Sequence, residues 1–405
     1  MKKILQILTA AVLVCSLASC CCQEKKAKYV FYFIGDGMGF THVAAAGAYL
    51  AQERGVVGMD PLSFTQFPAL GAATTFSASN QITCSSAAGT ALATGTKTNN
   101  HFLGVDPDEK PLKSIAYKIH EAGFAVGVSS TVPINHATPG AFFGHSNDRD
   151  DYYSIGCEAP ATGFEYFAGG GIYDYAGKEK DKKSVYEMLE EAGYTLAYGY
   201  ADFEAKKDGA EKVVLVQAEN SDDAVPYAFG RPEGAMTHSE IVKAGIEILE
   251  RCPQGFFFMS EGGQIDWAAH SNDLASTIFE TIDFSEAVAI AVEFYNKHPE
   301  ETLIVVTADH ETGGIALGRK GYNYDLTVID KLSAPDAAHT VADYMSSRDV
   351  KNAVSEEANI GWTTTSHSGA PVPVWAIGTH SFDFAGRQDN TDIPKKICAA
   401  MGVEF

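Results

Sequence analysis

Three apolar runs in this 405-residue chain end in acids or imidazoles. Residues 29–34 lead into Gly35-Asp36-Gly37-Met38-Gly39, residues 256–260 into Glu261-Gly262-Gly263-Gln264-Ile265-Asp266, and residues 302–308 into Asp309-His310-Glu311-Thr312. An Asp after a strand is commonly an N-cap, and an Asp between glycines is commonly a turn. Three such ends together, with His270 and His310, suggest a metal centre instead. Asp266 and His270 are four residues apart. On a helix such positions share a face, so carboxylate and imidazole can grip one ion, although the same spacing also serves a plain surface pair. Oxygen and nitrogen donors without thiolates favour zinc, with manganese or cobalt as competitors.

A nucleophile candidate lies in Ile82-Thr83-Cys84-Ser85-Ser86-Ala87-Ala88-Gly89-Thr90, where small residues open a helical run to about Thr94. A hydroxyl at a helix N-terminus faces free N–H groups and the positive end of the dipole, where a phosphoryl group is favoured. A simple Ser N-cap is the commoner use of such a residue. No Gly-x-Ser-x-Gly elbow is present, so an esterase-type triad has little support.

These residues need a scaffold that brings them together. Strands are expected at 29–34, 124–131, 213–217, 256–260, 302–308 and 372–377, as continuous apolar runs that suit a sheet buried on both faces. Helices are expected near 113–122, 184–193, 238–251, 278–297 and 391–401. The alternation predicts an α/β fold, a three-layer α/β/α sandwich with a large, mostly parallel sheet. In such sheets ligands bind beyond the carboxyl ends of the strands, where the acids and imidazoles fall. The stretches 145–183 and 316–362 are less regular and read as insertions over the active-site end.

With 52 acidic against 30 basic residues the formal charge is −22, which argues against nucleic acid as a partner recognised through a basic field. An anion site in this chain needs local positive charge, which bound metal can supply. The amino terminus reads as an export signal over residues 1–19. Met1-Lys2-Lys3 is positive, residues 4–17 are largely apolar but too short to span a bilayer, and small residues precede Cys20. Leu17-Ala18-Ser19-Cys20 has the order of a bacterial lipobox, with Cys20 as the lipidated residue and 20–28 as tether. A periplasmic or outer-membrane-anchored lipoprotein is therefore expected. The cysteines at 84, 157, 252 and 398 show no zinc-ribbon spacing.

From Tyr29 to the carboxyl end, a catalytic unit of 29–405, the chain resembles the alkaline phosphatases. Gly35 to Gly39 is similar to that family's first metal motif, and Ile82 to Thr90 to its phosphoserine signature, which implies Ser85 as nucleophile. His136-Ala137-Thr138-Pro139 resembles the loop supplying a third metal site. Arg149 stands at the distance from Thr138 expected of the phosphate-binding arginine. Glu261, Asp266 and His270 reproduce the acid-x4-acid-x3-His spacing, Asp309-His310 the next ligand pair, and His367 in Thr365-Ser366-His367-Ser368-Gly369 the last zinc ligand.

The resemblance implies a first zinc on Asp266, His270 and His367, and a second on Asp36, Asp309 and His310. A third, magnesium-type ion, with zinc or cobalt as competitors, falls to Asp36, Thr138 and Glu261, with His136 beside it. It implies phosphate monoesters as substrates, attack by Ser85 Oγ, and a planar fork from Arg149 on the phosphoryl oxygens. It leaves open whether two copies form a homodimer. Many members have Asp where this chain has Cys84, Asp where it has His136, and Lys where it has Trp267. A phosphodiesterase or sulfatase of the same superfamily is the first rival. A non-catalytic surface lipoprotein that binds phosphate or metal is the second. The full third-site set and Arg149 favour monoesters, and an intact Ser85 favours catalysis.

Overall fold

The computed structural model describes residues 25–334 and 338–405. The signal segment and Cys20 lie outside the described residues. Fourteen strands are present among the described residues: β1 Tyr29–Gly35, β2 Ala69–Thr74, β3 Ala125–Ser130, β4 Tyr166–Gly169, β5 Thr195–Tyr198, β6 Val213–Val216, β7 Phe256–Gly262, β8 Thr302–Thr307, β9 Glu311–Thr312, β10 Ile315–Leu317, β11 Ile360–Trp362, β12 His367–Ser368, β13 Val372–Gly378 and β14 Gly386–Asp389. Ten of them form one sheet in the order β14-β2-β13-β8-β1-β7-β3-β4-β6-β5. All neighbours run parallel except β13, which is antiparallel to both β8 and β2.

Every residue of β1 and β7 is buried, as their continuous apolar runs require of central parallel strands. Successive side chains point to opposite faces. Phe31 and Phe33 meet Phe294 and Phe284 of the helix Leu274–Lys297, while Tyr32 meets Phe142 on the other side. Burying each such ring contributes about 1.5–3 kcal/mol. The helices Phe40–Glu53, His238–Leu249 and Leu274–Lys297 form one covering layer, and Ser85–Thr94, Ile115–Glu121 and Asp392–Met401 form another.

The six strands expected from sequence are all in the sheet. β2, β4, β5 and β14 were not expected. Within 145–183, Tyr166–Gly169 pairs into the sheet as β4 between β3 and β6. Within 316–362, Leu326, Ile329, Leu332 and Tyr344 build a second apolar cluster with Ala45, Tyr49, Leu274 and Ile278. Among the described residues no helix is long and apolar enough to cross a membrane.

Candidate active site

The register aligns the strand ends that carry the ligating residues. β1 pairs with β7 so that Ile34 faces Glu261 and Gly35 faces Gly262, and with β8 so that Ile34 faces Thr307. Ser130 at the end of β3 is opposite Glu261. Asp36, Glu261 and the pair Asp309-His310 thus emerge at one level from three neighbouring strands. Gly37 makes the turn that follows, at φ +72°. A Cβ there would lie 2.9 Å from Asp266 Cα and Thr312 Oγ1, so only glycine fits.

Asp266 and His270 lie on the helix Gln264–His270, as their spacing predicts. His367 arrives on β12, which pairs antiparallel with β9, His367 against Thr312. The structure brings the predicted residues into three groups, with ligand atoms in each within 4.8 Å of one another: Asp266, His270 and His367; Asp36, Asp309 and His310; and Asp36, His136 and Glu261. Thr138, fully buried, stands by Glu261 in the third group.

The first group identifies its occupant by chemistry. His270 Nδ1 donates to the Thr365 carbonyl at 2.7 Å, and His367 Nδ1 to the Thr83 carbonyl at 2.9 Å. In neutral imidazoles this leaves Nε2 unprotonated on both rings. The two Nε2 atoms are 3.1 Å apart and face the Asp266 carboxylate at 3.4 and 3.6 Å. Two lone pairs and an anion so arranged repel unless a cation sits among them. Carbonyls that fix the outer nitrogen are the usual support of a metal-ligating histidine.

In the second group His310 Nε2 lies 3.1 Å from Asp309 Oδ2 and 3.5 Å from Asp36 Oδ1. Burial, with repulsion from Asp309, Asp266 and Glu261, pushes the Asp36 carboxyl well above its usual range. Asp309 is raised for the same reasons, and burial lifts Glu261 to about 7. Burial holds His310 and His136 neutral, with the Arg149 guanidinium adding to the effect on both. Both oxygens of Asp36, Glu261 Oε1, Asp309 Oδ2 and Thr138 Oγ1 are buried with no hydrogen-bond partner. Packed carboxylates that find no protein donor fit divalent cations, and the residues present fit three.

Ser85 opens the helix Ser85–Thr94, with Oγ 3.2 Å from His310 Nε2. This is not a serine-hydrolase relay. There the acid grips the nitrogen opposite the serine, whereas here Ser85, Asp36 and Asp309 all face the same Nε2, and Nδ1 meets Thr312 Oγ1 at 3.2 Å. Arg149 Nη2 lies 3.2 Å from His136 Nε2, and its Nε lies 3.9 Å from Asp150. Cys84 Sγ meets His101 N at 3.1 Å and Ser86 Oγ at 3.2 Å.

The family profile for alkaline phosphatase matches residues 27–168 and 162–403. The chain belongs to the alkaline phosphatase family. It is 30 % identical to alkaline phosphatase 3 of Bacillus subtilis, over 94 % of this chain and 91 % of that protein. The cold-active alkaline phosphatase of a psychrophilic Shewanella superposes with TM-score 0.80 at 27 % identity, covering 92 % of this chain and 99 % of that one. A variant of the alkaline phosphatase from the Antarctic bacterium TAB5, with a histidine replaced by aspartate and magnesium bound in the M3 site, superposes with TM-score 0.77 at 28 % identity, covering 95 % of this chain and 100 % of that one. Membership of the alkaline phosphatase family makes this chain a metal-dependent hydrolase of phosphate monoesters.

Two supports were not foreseen. Thr312 Oγ1 donates to Asp266 Oδ1 at 2.5 Å, and Ser130 Oγ donates to Glu261. Both residues border predicted strand ends, which is the one signal the sequence offers. The carbonyls of Thr83 and Thr365 carry none, because a backbone acceptor is the same at every residue. His145, near Arg149 in sequence, is held by Glu158 and the Leu112 carbonyl instead.

Proposed function

We propose that Ser85 is the nucleophile, that the first two residue groups hold zinc, and that the third holds magnesium. The observation that carries this reading is the facing pair of unprotonated Nε2 atoms of His270 and His367 against Asp266, on the same cluster that Ser85 Oγ approaches. When bound, the two zinc ions supply Lewis acidity at the entering and leaving oxygens of the displacement. Ser85 forms the new bond to phosphorus through Oγ as the ester's P–O bond breaks and the alcohol leaves with a proton. Water then bonds to phosphorus, the Ser85 Oγ–P bond breaks, and inorganic phosphate departs as the hydroxyl regains its proton. The helix N-terminus behind Ser85 favours the negative charge of the phosphoryl group. Arg149, mostly shielded from solvent, offers its guanidinium fork to two phosphoryl oxygens, a geometry that Lys cannot copy. Trp267, a donor only and uncharged, contributes shape rather than charge.

Magnesium in the M3 site of the TAB5 variant supports the same ion for the oxygen-rich third group. The lipobox at Leu17 to Cys20 supports an exported protein tethered by lipid at Cys20, and Cys20→Ser should then release it from membranes.

Ser85→Ala tests the central claim. Turnover of an aryl phosphate should fall by roughly three orders of magnitude or more while metal content and fold persist. Ser86→Ala should be milder. Equal loss in both would show that the nucleophile is misassigned. Faster hydrolysis of a diester or a sulfate than of a monoester would turn the reading to the related phosphodiesterases or sulfatases.

A further inference from the structure

Asn135 is fully buried beside His136. Its Nδ2 donates to the Tyr152 carbonyl at 2.7 Å and the Tyr173 carbonyl at 2.9 Å, and its Oδ1 accepts from Tyr173 N at 2.8 Å. One side chain thus ties two distant points of the 145–183 stretch to the active-site loop. The rings of the two tied tyrosines meet, with centroids 4.9 Å apart and planes at 48°. Tyr173 lies 6.4 Å from the His136 ring, and Trp267 stands edge-on to that ring at 5.6 Å. His136 in turn meets Arg149.

The neighbouring tyrosines behave differently. Tyr153 and Tyr175 pack against the main apolar core, while Tyr152, Tyr173 and Trp267 are half-buried and belong to neither apolar cluster. Tyr152 and Tyr173 therefore stand partly in water, tied by a buried amide rather than by core packing, and Trp267, on the helix Gln264–His270, approaches the same His136 ring that Arg149 meets. Partly exposed rings around one buried imidazole favour a planar partner, because every base or aryl ring has a face to stack on them.

We propose that Tyr152, Tyr173 and Trp267 form a leaving-group subsite for flat aromatic or heterocyclic groups, with Asn135 as its positioning residue. The preferred substrates are then nucleoside monophosphates and aryl phosphates rather than sugar or polyol phosphates. This rests on the phosphomonoesterase reading above.

Adenosine 5′-monophosphate and ribose 5-phosphate test it, since both release a primary alcohol and differ in the base. Wild-type kcat/KM should favour the nucleotide by roughly 5- to 150-fold, the range that base–aromatic stacking supplies. In Tyr152→Leu and Tyr173→Leu the ratio should fall to within about threefold of one, and the corresponding Phe variants should keep it. Asn135→Ala should lower the ratio as the Leu variants do, while a purely structural role would lower both rates together. Adenosine should compete with substrate and ribose should not. Equal kcat/KM for the two substrates in the wild type, or a ratio unmoved by both Leu variants, overturns the subsite alone. Failure to hydrolyse either substrate, or any aryl phosphate, overturns the phosphomonoesterase reading itself.

Discussion

Ser260 and Glu261 are neighbours on β7, yet their side chains point to opposite faces of the sheet and into two different kinds of polar interior. On the Ser260 side the acids find partners within the protein, although His238 Nδ1 stays without one. His238 Nε2 pairs with Ser260 Oγ at 2.8 Å, and Ser260 accepts from Ser129 at 2.9 Å. Nearby, Arg231 forks onto both oxygens of Asp283 at 2.9 and 2.8 Å, and Glu280 accepts from Ala228 N at 2.6 Å. On the Glu261 side, Asp36, Asp309, Glu261 and Thr138 all keep buried oxygens with no partner. The difference lies in where the cation comes from. One region carries its counter-charge in Arg231, and the other assembles acids and neutral imidazoles that depend on ions from solution.

Removing those ions is the strongest way to break the contrast. Dialysis against a chelator should cut phosphomonoesterase turnover by about three orders of magnitude or more. It should also lower Tm, since a ligand at 100 times its Kd contributes about 2.7 kcal/mol of stability. Zinc with magnesium should restore both. Full turnover in protein shown to be metal-free would end the metal reading.

The second way strips the other region of its counter-charge. Arg231→Met leaves Asp283 buried and unpaired, at a cost of about 3–5 kcal/mol. Denaturant unfolding should register that loss while kcat of the folded variant stays within about threefold. A stable variant with reduced kcat would mean that the network reaches the active site.

The third concerns Glu280, which desolvation lifts to about 8, with repulsion from Asp283 adding to it. A carboxyl raised in the folded state binds more protons folded than unfolded. Stability therefore falls as pH rises from the ordinary Glu value, 4.5, to about 8. Glu280→Gln removes this dependence. Its Tm should match wild type near pH 5 and exceed it near pH 9, by roughly 1 °C per kcal/mol relieved in a chain of this length. An equal difference at both pH values would mean that Glu280 does not titrate in this range.

What the sequence displayed follows the same division. β1, β3, β7 and β8 were legible because strands buried on both faces need continuous apolar runs. β14, Gly-Arg-Gln-Asp, has no such run and exists through its pairing with β2. The helix Phe40–Glu53 was missed because it is buried on most sides and shows little polar contrast. At the site, Asp266 and His270 were legible through helical spacing. His367 and Arg149 came only with the family resemblance, because the one sits on the two-residue strand β12 and the other in a turn, and neither stretch of sequence fixes a distance to the cluster. The aromatic pair Tyr152–Tyr173 was invisible, since Asn135 joins points of the chain 17 and 38 residues away.

The smallest effect expected is at His136, and it refines how the third group meets its ion. Arg149 Nη2 donates to His136 Nε2 at 3.2 Å, so in the neutral ring the proton sits on Nδ1. That nitrogen is buried and has no partner. A protonated nitrogen cannot ligate a cation but can donate to a water that does. On that geometry Asp36, Glu261 and Thr138 would be the residues to hold a magnesium ion, and His136 would contribute no negative charge to it. His136→Asp adds a carboxylate, which should raise magnesium affinity by about tenfold, or 1.4 kcal/mol. Because the change also gives Arg149 a new partner, magnesium binding should be titrated directly rather than inferred from rates. An unchanged affinity would place His136 outside the ion's reach. Stoichiometric zinc in the wild-type third group would show the imidazole bound directly to metal, with its proton displaced and the Arg149 contact remade.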